Sequence, residues 1–173
     1  FGGGGHSHAI LERLGPEARL FGFDQDPDAA KNALDDARFT LVAANFRFAP
    51  QFLRAHGALP LTGILADLGV SSHQFDTPER GFSLRHDGPL DMRMNVQSGQ
   101  PAHAWLATVE VRELTQVLRK YGELTRPDRL AHRIVAAREE RPILTTHDLI
   151  RVLFVCLFEL STKLRQQVPH NGE

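Results

Sequence analysis

Four consecutive glycines, Gly2 to Gly5, lead directly into a helix-forming run that starts at His6. Glycines allow a backbone to approach a ligand closely, and the first turn of a helix offers free N–H groups. Asp24 follows 19 residues after Gly5, at the end of a short apolar run, where a carboxylate can accept both hydroxyls of a ribose. The strict G-x-G-x-x-G pattern is not met, because Ser7 occupies the third glycine position. The loop and the acid predict a nucleoside-cofactor site and leave NAD and S-adenosylmethionine both open.

Two more positions at the ends of apolar runs are candidates for the same site. Asp67 follows the run Leu61–Ala66, and in an open α/β sheet the carboxyl ends of the strands face the ligand crevice. An unpaired buried carboxylate is costly, so Asp67 is predicted to serve function rather than the core. Phe46, which follows Asn45, can stack on an adenine ring, with a place in the hydrophobic core as its alternative.

The elements that must position these residues alternate between helix and strand. Helices are predicted from apolar spacing and capping signals, and strands from short apolar runs. In chain order we expect a helix at His6–Leu14, a strand at Arg19–Phe23, a helix from Pro27, capped by Asp26, to Asp36, a strand at Phe39–Ala43, a helix at Pro50–His56 and a strand at Leu61–Ala66. This alternation is typical of a parallel α/β sheet. Because a Gly-rich loop normally follows a strand, we expect the first strand of the sheet to be missing.

The second part of the chain is predicted to be helical. After a long irregular loop at Asp76–Pro101 we expect helices at Ala102–Tyr121 and Arg126–Arg141, and then a capping box made by Thr145 and Asp148. Residues 1–79 carry 6 basic and 10 acidic residues, whereas residues 80–141 carry 11 and 8. We therefore expect two domains, 1–79 and 80–150, with 151–173 unassigned or returning to the first.

Composition excludes several classes of protein. Of the 173 residues 42% are hydrophobic and 24% charged, which is the balance of a globular protein rather than a disordered or coiled-coil one. The formal charge of -1 gives no global basic field, and no apolar run approaches the roughly 20 residues of a transmembrane helix. The single cysteine, Cys156, excludes an intrachain disulfide. The histidines show no metal-ligand spacing, so we expect no metal. From the short apolar runs we expect no membrane partner, and from the single cysteine a reducing cytoplasm.

Five segments together resemble one family. They are Gly4-Gly5-His6-Ser7, Asp24-Gln25-Asp26-Pro27, Asp67-Leu68-Gly69-Val70-Ser71-Ser72-His73-Gln74-Phe75-Asp76, Glu79-Arg80-Gly81-Phe82-Ser83 and Asp87-Gly88-Pro89-Leu90-Asp91-Met92-Arg93-Met94. The last two are long and specific. The set resembles the bacterial S-adenosylmethionine-dependent methyltransferases that modify the N4 amine of a cytosine in 16S ribosomal RNA, the RsmH or MraW family. The resemblance runs from Phe1 to about Ile150 and selects S-adenosylmethionine over NAD.

The resemblance implies a fold, a cofactor and a substrate. The fold is that of a class I S-adenosylmethionine-dependent methyltransferase, a Rossmann-like parallel sheet with an inserted helical domain. The substrate is 16S ribosomal RNA or the small ribosomal subunit. The residues that the resemblance places at the cofactor are Gly4, Gly5, His6, Asp24, Phe46, Asp67 and Gln74. Asp67 is the candidate catalytic proton acceptor for the cytosine amine, with a contact to the cofactor as its other role.

The sequence also departs from the family pattern. Gly3 stands where the family usually has Arg or Ala, and His73 where it has Pro. Family members are much longer, and Val152–Glu173 does not match their later part, which should supply the remaining strands of the sheet. We expect those strands to be either outside the structure or lost from a truncated protein.

Three further expectations concern chemistry and partners. Cytosine C5 methylation requires a cysteine nucleophile, and Cys156 lies in an apolar run predicted to be core, so C5 chemistry is disfavoured. Five arginines could contact RNA phosphates, or form an ordinary solvated helix face: Arg126, Arg129, Arg133, Arg138 and Arg141. The alternatives to the methyltransferase are a NAD-dependent oxidoreductase, for which Tyr121 offers no Tyr-x-x-x-Lys pair, and a non-catalytic RNA-binding or interaction module.

Overall fold

The structure is a computed structural model, and it describes residues 1–124 and 126–154. The chain divides into two compact units. The first unit contains Phe1–Asp76 and Arg93–Gly99, and the second contains Thr77–Met92 and the chain from Gln100 onward. The expectation that the two parts have different tasks stays a prediction.

A small parallel sheet forms the centre of the first unit. Strand β1, Leu20–Asp24, pairs in parallel with strand β2, Phe39–Ala43, so that Asp24 lies opposite Ala43. Both strands lie within one residue of their predicted positions, because short β-branched and aromatic runs bounded by polar turns favour strands. The mixed α/β fold and the parallel pairing are thus confirmed.

Short helices surround this sheet. Helix α1 covers Gly5–Leu11, and 3-10 turns cover Pro27–Asn32 and Phe46–Phe48. Helix α2, Ala49–Ala55, and helix α3, Ser72–Asp76, complete the unit. Its buried apolar residues are few, one from each of four elements: Leu11, Ala29, Val42 and Leu53.

The helix predicted to reach Asp36 is shorter than expected. Asp26 caps its start as predicted, since the Asp26 carboxylate accepts from the Asp28 backbone N–H at 3.0 Å. The turn is a 3-10 helix that ends at Asn32, and Ala33 already has extended backbone at ψ 135°. This exit brings Leu34 to the Gly-rich loop, where a Cβ on Gly4 would be 3.4 Å from the Leu34 side chain. Packing on the loop therefore ends the helix early.

The third predicted strand, Leu61–Ala66, is wrong. None of the residues from 61 to 70 is in a strand or helix, and all are exposed, including Ile64 at 84% of its surface. In the doubly wound order this strand would pair with the one that precedes the Gly-rich loop. Within the described residues β1 and β2 pair only with each other, and the run Leu61–Ala66 pairs with neither of them. Asp67 therefore lies in a loop rather than at a strand end.

The second unit is helical, as predicted. A 3-10 turn at Pro78–Arg80 precedes helices α4, Ala102–Thr108, α5, Val111–Gly122, and α6, Pro127–Glu140. A further helix, α7, covers residues 146–154 of the described chain. The core of the unit consists of seven buried apolar residues: Leu90, Leu106, Val109, Leu114, Ala131, Ile134 and Ile143.

The single helix predicted at Ala102–Tyr121 is two helices. The break lies at Val109, whose ψ of 138° is extended, and Val109 is buried in the core. Carbonyl groups freed at a helix end need new partners, and Arg138 supplies them by donating to the carbonyl oxygens of Leu106 at 2.6 Å and Val109 at 2.7 Å. A distant residue on α6 thus makes the break possible.

The predicted capping box at the start of α7 is confirmed. The Asp148 carboxylate accepts from the Leu144 and Thr145 N–H groups at 3.2 and 3.1 Å, and the Thr145 hydroxyl accepts from the Asp148 N–H at 3.2 Å. Burial alone would raise the pKa of Asp148, but these backbone hydrogen bonds outweigh it and the pKa is lowered. The carboxylate form is therefore the one that caps the helix.

Two negative findings concern the described residues only. Among them, no helix has both the length and the apolarity to cross a membrane, and no cluster of three or more His, Cys, Asp or Glu side chains is arranged for a metal. Cys156, with its predicted core position, and most of the unassigned segment 151–173 lie outside the described residues.

Candidate functional site

Asp24 connects the end of β1 to the Gly-rich loop. It is the last residue of the strand, and its carboxylate accepts hydrogen bonds from the backbone N–H groups of Gly2 at 2.8 Å and Asp26 at 2.9 Å. The side chain keeps 19% of its surface exposed, and each carboxylate oxygen can accept a second bond. The predicted ribose-binding acid thus also holds the loop.

The Gly-rich loop needs glycine at two positions. Gly2 and Gly4 have φ values of 62° and 80°, in the left-handed region that side chains disfavour. Gly4 is also buried, and a Cβ there would lie 3.0 Å from the Phe1 ring and 3.4 Å from the Asn32 carbonyl oxygen. The tight loop starts α1 at Gly5 and leaves His6 exposed at the beginning of the helix.

His6 and Asp67 meet, although 61 positions separate them in the chain. The Nδ1 atom of His6 lies 3.7 Å from an Asp67 carboxylate oxygen, and both side chains are about two-thirds exposed, at 67% and 71%. An imidazole and a carboxylate that face solvent side by side can exchange protons with a bound molecule. The structure therefore brings together two of the residues predicted for the site.

Gln74 is buried and its side chain is used inside the protein. Its Nε2 donates to an Asp26 oxygen at 2.5 Å, and its Oε1 accepts from the Ser71 N–H at 3.0 Å. Only 4% of Gln74 is exposed. As described, this predicted site residue supports the loop that carries Asp67, and its amide faces protein groups.

Phe46 lies on the surface beyond the end of β2. Its ring is 58% exposed, so the alternative that placed it in the hydrophobic core is wrong. The preceding Asn45 caps the 3-10 turn through the Arg47 N–H and donates to the Gln25 side chain at 2.9 Å. Asn45 thus joins the ends of the two strands, and Phe46 offers an open aromatic face on the unit that also holds Asp24.

Sequence reasoning missed the second task of Asp26. Its N-cap position before Pro27 explained it as a structural residue, and that part is confirmed. The same carboxylate also accepts a hydrogen bond from the side chain of Gln74, 48 residues further along the chain. No local pattern marks such a pair.

The predicted arginine cluster on α6 is only partly available. Arg138 is half-buried and bonded to the carbonyl groups at the α4 break. Arg141 lies 3.8 Å from Asp148. Arg126 and Arg129 are exposed at the start of the helix. Arg141 is also exposed, but it lies beside the Asp148 carboxylate, so Arg126 and Arg129 are better placed to meet a polyanion.

The two long motifs of the second unit interlock through glycines. A Cβ on Gly88 would overlap the carbonyl oxygen of Pro78, and a Cβ on Gly81 would lie 2.7 Å from the Asp91 nitrogen. Leu90, two residues after Gly88, is one of the most buried side chains among the described residues, at 2% exposed. Residues of both motifs therefore pack inside the second unit.

The first unit is thus an α/β unit in which a Gly-rich loop, the Asp24 carboxylate and the exposed Phe46 ring lie around the carboxyl ends of two parallel strands. The model of the MraW methylase family matches residues 1–167, so the chain belongs to the MraW methylase family. The match extends beyond Ile150, where the resemblance drawn from the motifs ended.

Individual relatives carry one name. A protein of Flavobacterium johnsoniae named ribosomal RNA small subunit methyltransferase H is 57% identical over 153 residues, which cover 88% of this chain and 51% of the relative. Proteins of the same name from Phocaeicola vulgatus and Christiangramia forsetii are 50% and 46% identical, covering 88% and 92% of this chain and 50% and 53% of theirs. The chain thus spans about half the length of the curated relatives it matches.

Proposed function

We propose that this chain is the cofactor-binding part of an S-adenosylmethionine-dependent methyltransferase that acts on the exocyclic N4 amine of a cytosine in 16S ribosomal RNA. The observation that carries the proposal is the family match over residues 1–167, supported by relatives named for small-subunit ribosomal RNA methylation. The finer fold in this proposal is the class I methyltransferase sheet with an inserted helical domain, divided near residues 79 and 80.

The residues of the first unit fit a nucleoside cofactor. Asp24 keeps acceptor capacity at the strand end for ribose hydroxyls. The exposed Phe46 ring offers a stacking face for the adenine. Gly4 and Gly5 have no side chains, so a ligand can approach the backbone closely at the start of α1. In this proposal Gly4, Gly5, His6, Asp24, Phe46 and Asp67 line the cofactor site, and Gln74 supports it.

Asp67 has the chemistry to assist transfer to an amine. When bound, the cofactor supplies a methyl group on a sulfonium with a neutral leaving group. The cytosine amine is a poor nucleophile because its lone pair is delocalised into the ring, and an acceptor at its N–H localises that pair and takes the proton. Asp67 is exposed beside His6, so it can reach such an amine. The protein must also align the cytosine amine with the methyl group of the cofactor.

The RNA is proposed to meet the helical unit. Arg126 and Arg129 are exposed on α6, and cations of this kind contact phosphates independently of sequence. The substrate would be ribosomal RNA or the assembled small subunit, and the location the cytoplasm, where the ribosome and a reducing environment are found.

Calorimetry with S-adenosylmethionine tests the cofactor assignment on the full-length protein. Wild type should bind, and Asp24→Ala should lose binding because the ribose acceptor and the loop contact disappear together. Asp35→Ala, which removes an exposed acid eleven residues further along, is the matched control and should bind as wild type does. A folded wild type that does not bind overturns the proposal and favours a non-catalytic interaction module.

A methylation assay separates the two roles of Asp67. If Asp67 accepts the proton, Asp67→Asn should lower kcat by about 100-fold, the usual size of a lost acid–base group, with cofactor affinity preserved. If Asp67 only contacts the cofactor, the same variant should raise the cofactor Kd and leave kcat at saturation near that of wild type.

A further inference from the structure

Asp26 and Gln74 form a buried polar pair in the first unit. They are 7% and 4% exposed, and the Gln74 Nε2 donates to the Asp26 Oδ2 at 2.5 Å. The Asp26 Oδ1 accepts from the Asp28 N–H at 3.0 Å. Because a buried polar group without partners is costly, such a pair is specific about which groups it accepts.

The surroundings of the pair define the direction of each bond. The Gln74 Oε1 accepts from the Ser71 backbone N–H at 3.0 Å. The Gln74 backbone N–H donates to the Ser71 hydroxyl at 3.2 Å. A carboxylate can only accept and a backbone N–H can only donate, so the amide has one allowed orientation. Position 26 therefore requires an acceptor, and position 74 requires a group that donates on one side and accepts on the other.

We propose that Asp26 is a positioning residue that holds the Asp67 loop against the end of β1 through Gln74. The inference rests on the proposed function, since it assigns the pair to the cofactor site. The Gly2 and Asp26 N–H groups both donate to the Asp24 carboxylate, and the Gln74 Nε2 donates to the Asp26 carboxylate. They join the Gly-rich loop to the segment that carries Asp67.

Little else in the first unit holds that segment by burial. Every residue from 61 to 70 is exposed, and α3 has only five residues, of which Gln74 alone is buried. Apolar burial usually supplies most of the energy that orders a segment, so polar ties carry more of it here. One such tie is the buried Asp26–Gln74 pair, and another is His73 of α3, whose Nε2 lies 3.6 Å from an Asp28 carboxylate oxygen and is more exposed. We expect the buried pair to set the distance of 3.7 Å between His6 and Asp67, although neither Asp26 nor Gln74 is placed at the reacting atoms.

An exchange of donor and acceptor tests the pair directly. In Asp26→Asn the new amide faces the amide of Gln74, and whichever way the two turn, one N–H group opposes another. In Gln74→Glu two carboxylates oppose each other, which raises the free energy of the charged pair. The double variant Asp26→Asn with Gln74→Glu restores one donor facing one acceptor, accepts from the Ser71 N–H as before and keeps the net charge of wild type.

The experiment measures the cofactor Kd by calorimetry in the full-length protein, at a temperature where each variant is folded. Each single variant should bind S-adenosylmethionine at least about tenfold more weakly, and the double variant should return to within about threefold of wild type, which is the signature of direct coupling. Asp35→Asn, an exposed change of the same type, should bind as wild type does.

The outcomes distinguish this inference from the function on which it rests. If wild type does not bind the cofactor, the proposed function fails. If wild type binds and the single variants lower the melting temperature while keeping the wild-type Kd, the pair is structural and the positioning role is wrong. If both single variants weaken binding and the double variant does not recover, the two side chains act separately and the inference is again overturned.

Discussion

The guanidinium of Arg138 donates a hydrogen bond of 2.7 Å to the carbonyl oxygen of Val109, 29 residues earlier in the chain. The same nitrogen donates to the Leu106 carbonyl at 2.6 Å. An arginine for which the sequence left RNA phosphates and a solvated helix face both open is thus the residue that closes the end of α4.

Replacing Arg138 should therefore cost stability. Arg138→Met keeps most of the apolar stem and removes two charge-assisted bonds, so the free energy of unfolding should fall by about 1–3 kcal/mol. Arg129→Met, at an exposed position of the same helix, should change it by less than about 0.5 kcal/mol. Urea denaturation of both variants checks this, and equal losses would show that the Arg138 bonds contribute nothing special.

Gly88 should be intolerant of any side chain. A Cβ there would overlap the Pro78 carbonyl oxygen, which is backbone and cannot rotate away. Gly88→Ala should destabilise the second unit by about 2 kcal/mol or more, at the upper end of the usual cost of overpacking. Gly15→Ala, where nothing lies within 4 Å, is the control. Thermal unfolding compares them, and a melting temperature for Gly88→Ala equal to that of the control would contradict the close packing.

Asp36 should titrate unusually low. A side-chain hydrogen bond from Arg38, at 2.6 Å, is the largest of the effects that lower the pKa of Asp36 to about 2, from the ordinary 3.8. Because the folded-state pKa is depressed, the pair stabilises the fold above pH 3.8, and this contribution disappears as the pH falls from 3.8 towards 2. Carboxyl NMR titration measures the midpoint directly. In denaturation, Asp36→Asn should be less stable than wild type at pH 6 and equal to it near pH 2.

Phe46 should matter for the cofactor and little for stability. Its ring is 58% exposed, so Phe46→Ala removes little buried surface. If the ring stacks on the adenine, this variant should weaken S-adenosylmethionine binding by about 1–3 kcal/mol, the usual range for base–aromatic stacking. Phe46→Tyr keeps the aromatic face and should bind nearly as well as wild type. A Phe46→Ala protein with unchanged affinity would remove Phe46 from the site.

Features that depend on neighbours in the chain were predictable from the residues. The extents of strands β1 and β2, the Asp26 N-cap and the Thr145–Asp148 capping box each follow from residues that are close together in the chain. Local sterics and local hydrogen bonds decide such features before any tertiary contact forms.

Features that depend on distant partners were not predictable. The turn ends at Asn32, the helix breaks at Val109 and the run Leu61–Ala66 is a loop, each against a local apolar pattern. The contacts that accompany the first two, of Leu34 with Gly4 and of Arg138 with the Leu106 and Val109 carbonyl groups, join residues far apart in the chain. The candidate site divides in the same way. The residue types of Asp24, His6 and Asp67 indicated groups that bind a cofactor or accept a proton. The contact of His6 with Asp67 and the hydrogen bond from Gln74 to Asp26 exist only in the folded chain. Spacing along the sequence does not fix the distance between two side chains that loops separate, and only the tertiary structure brings these side chains together.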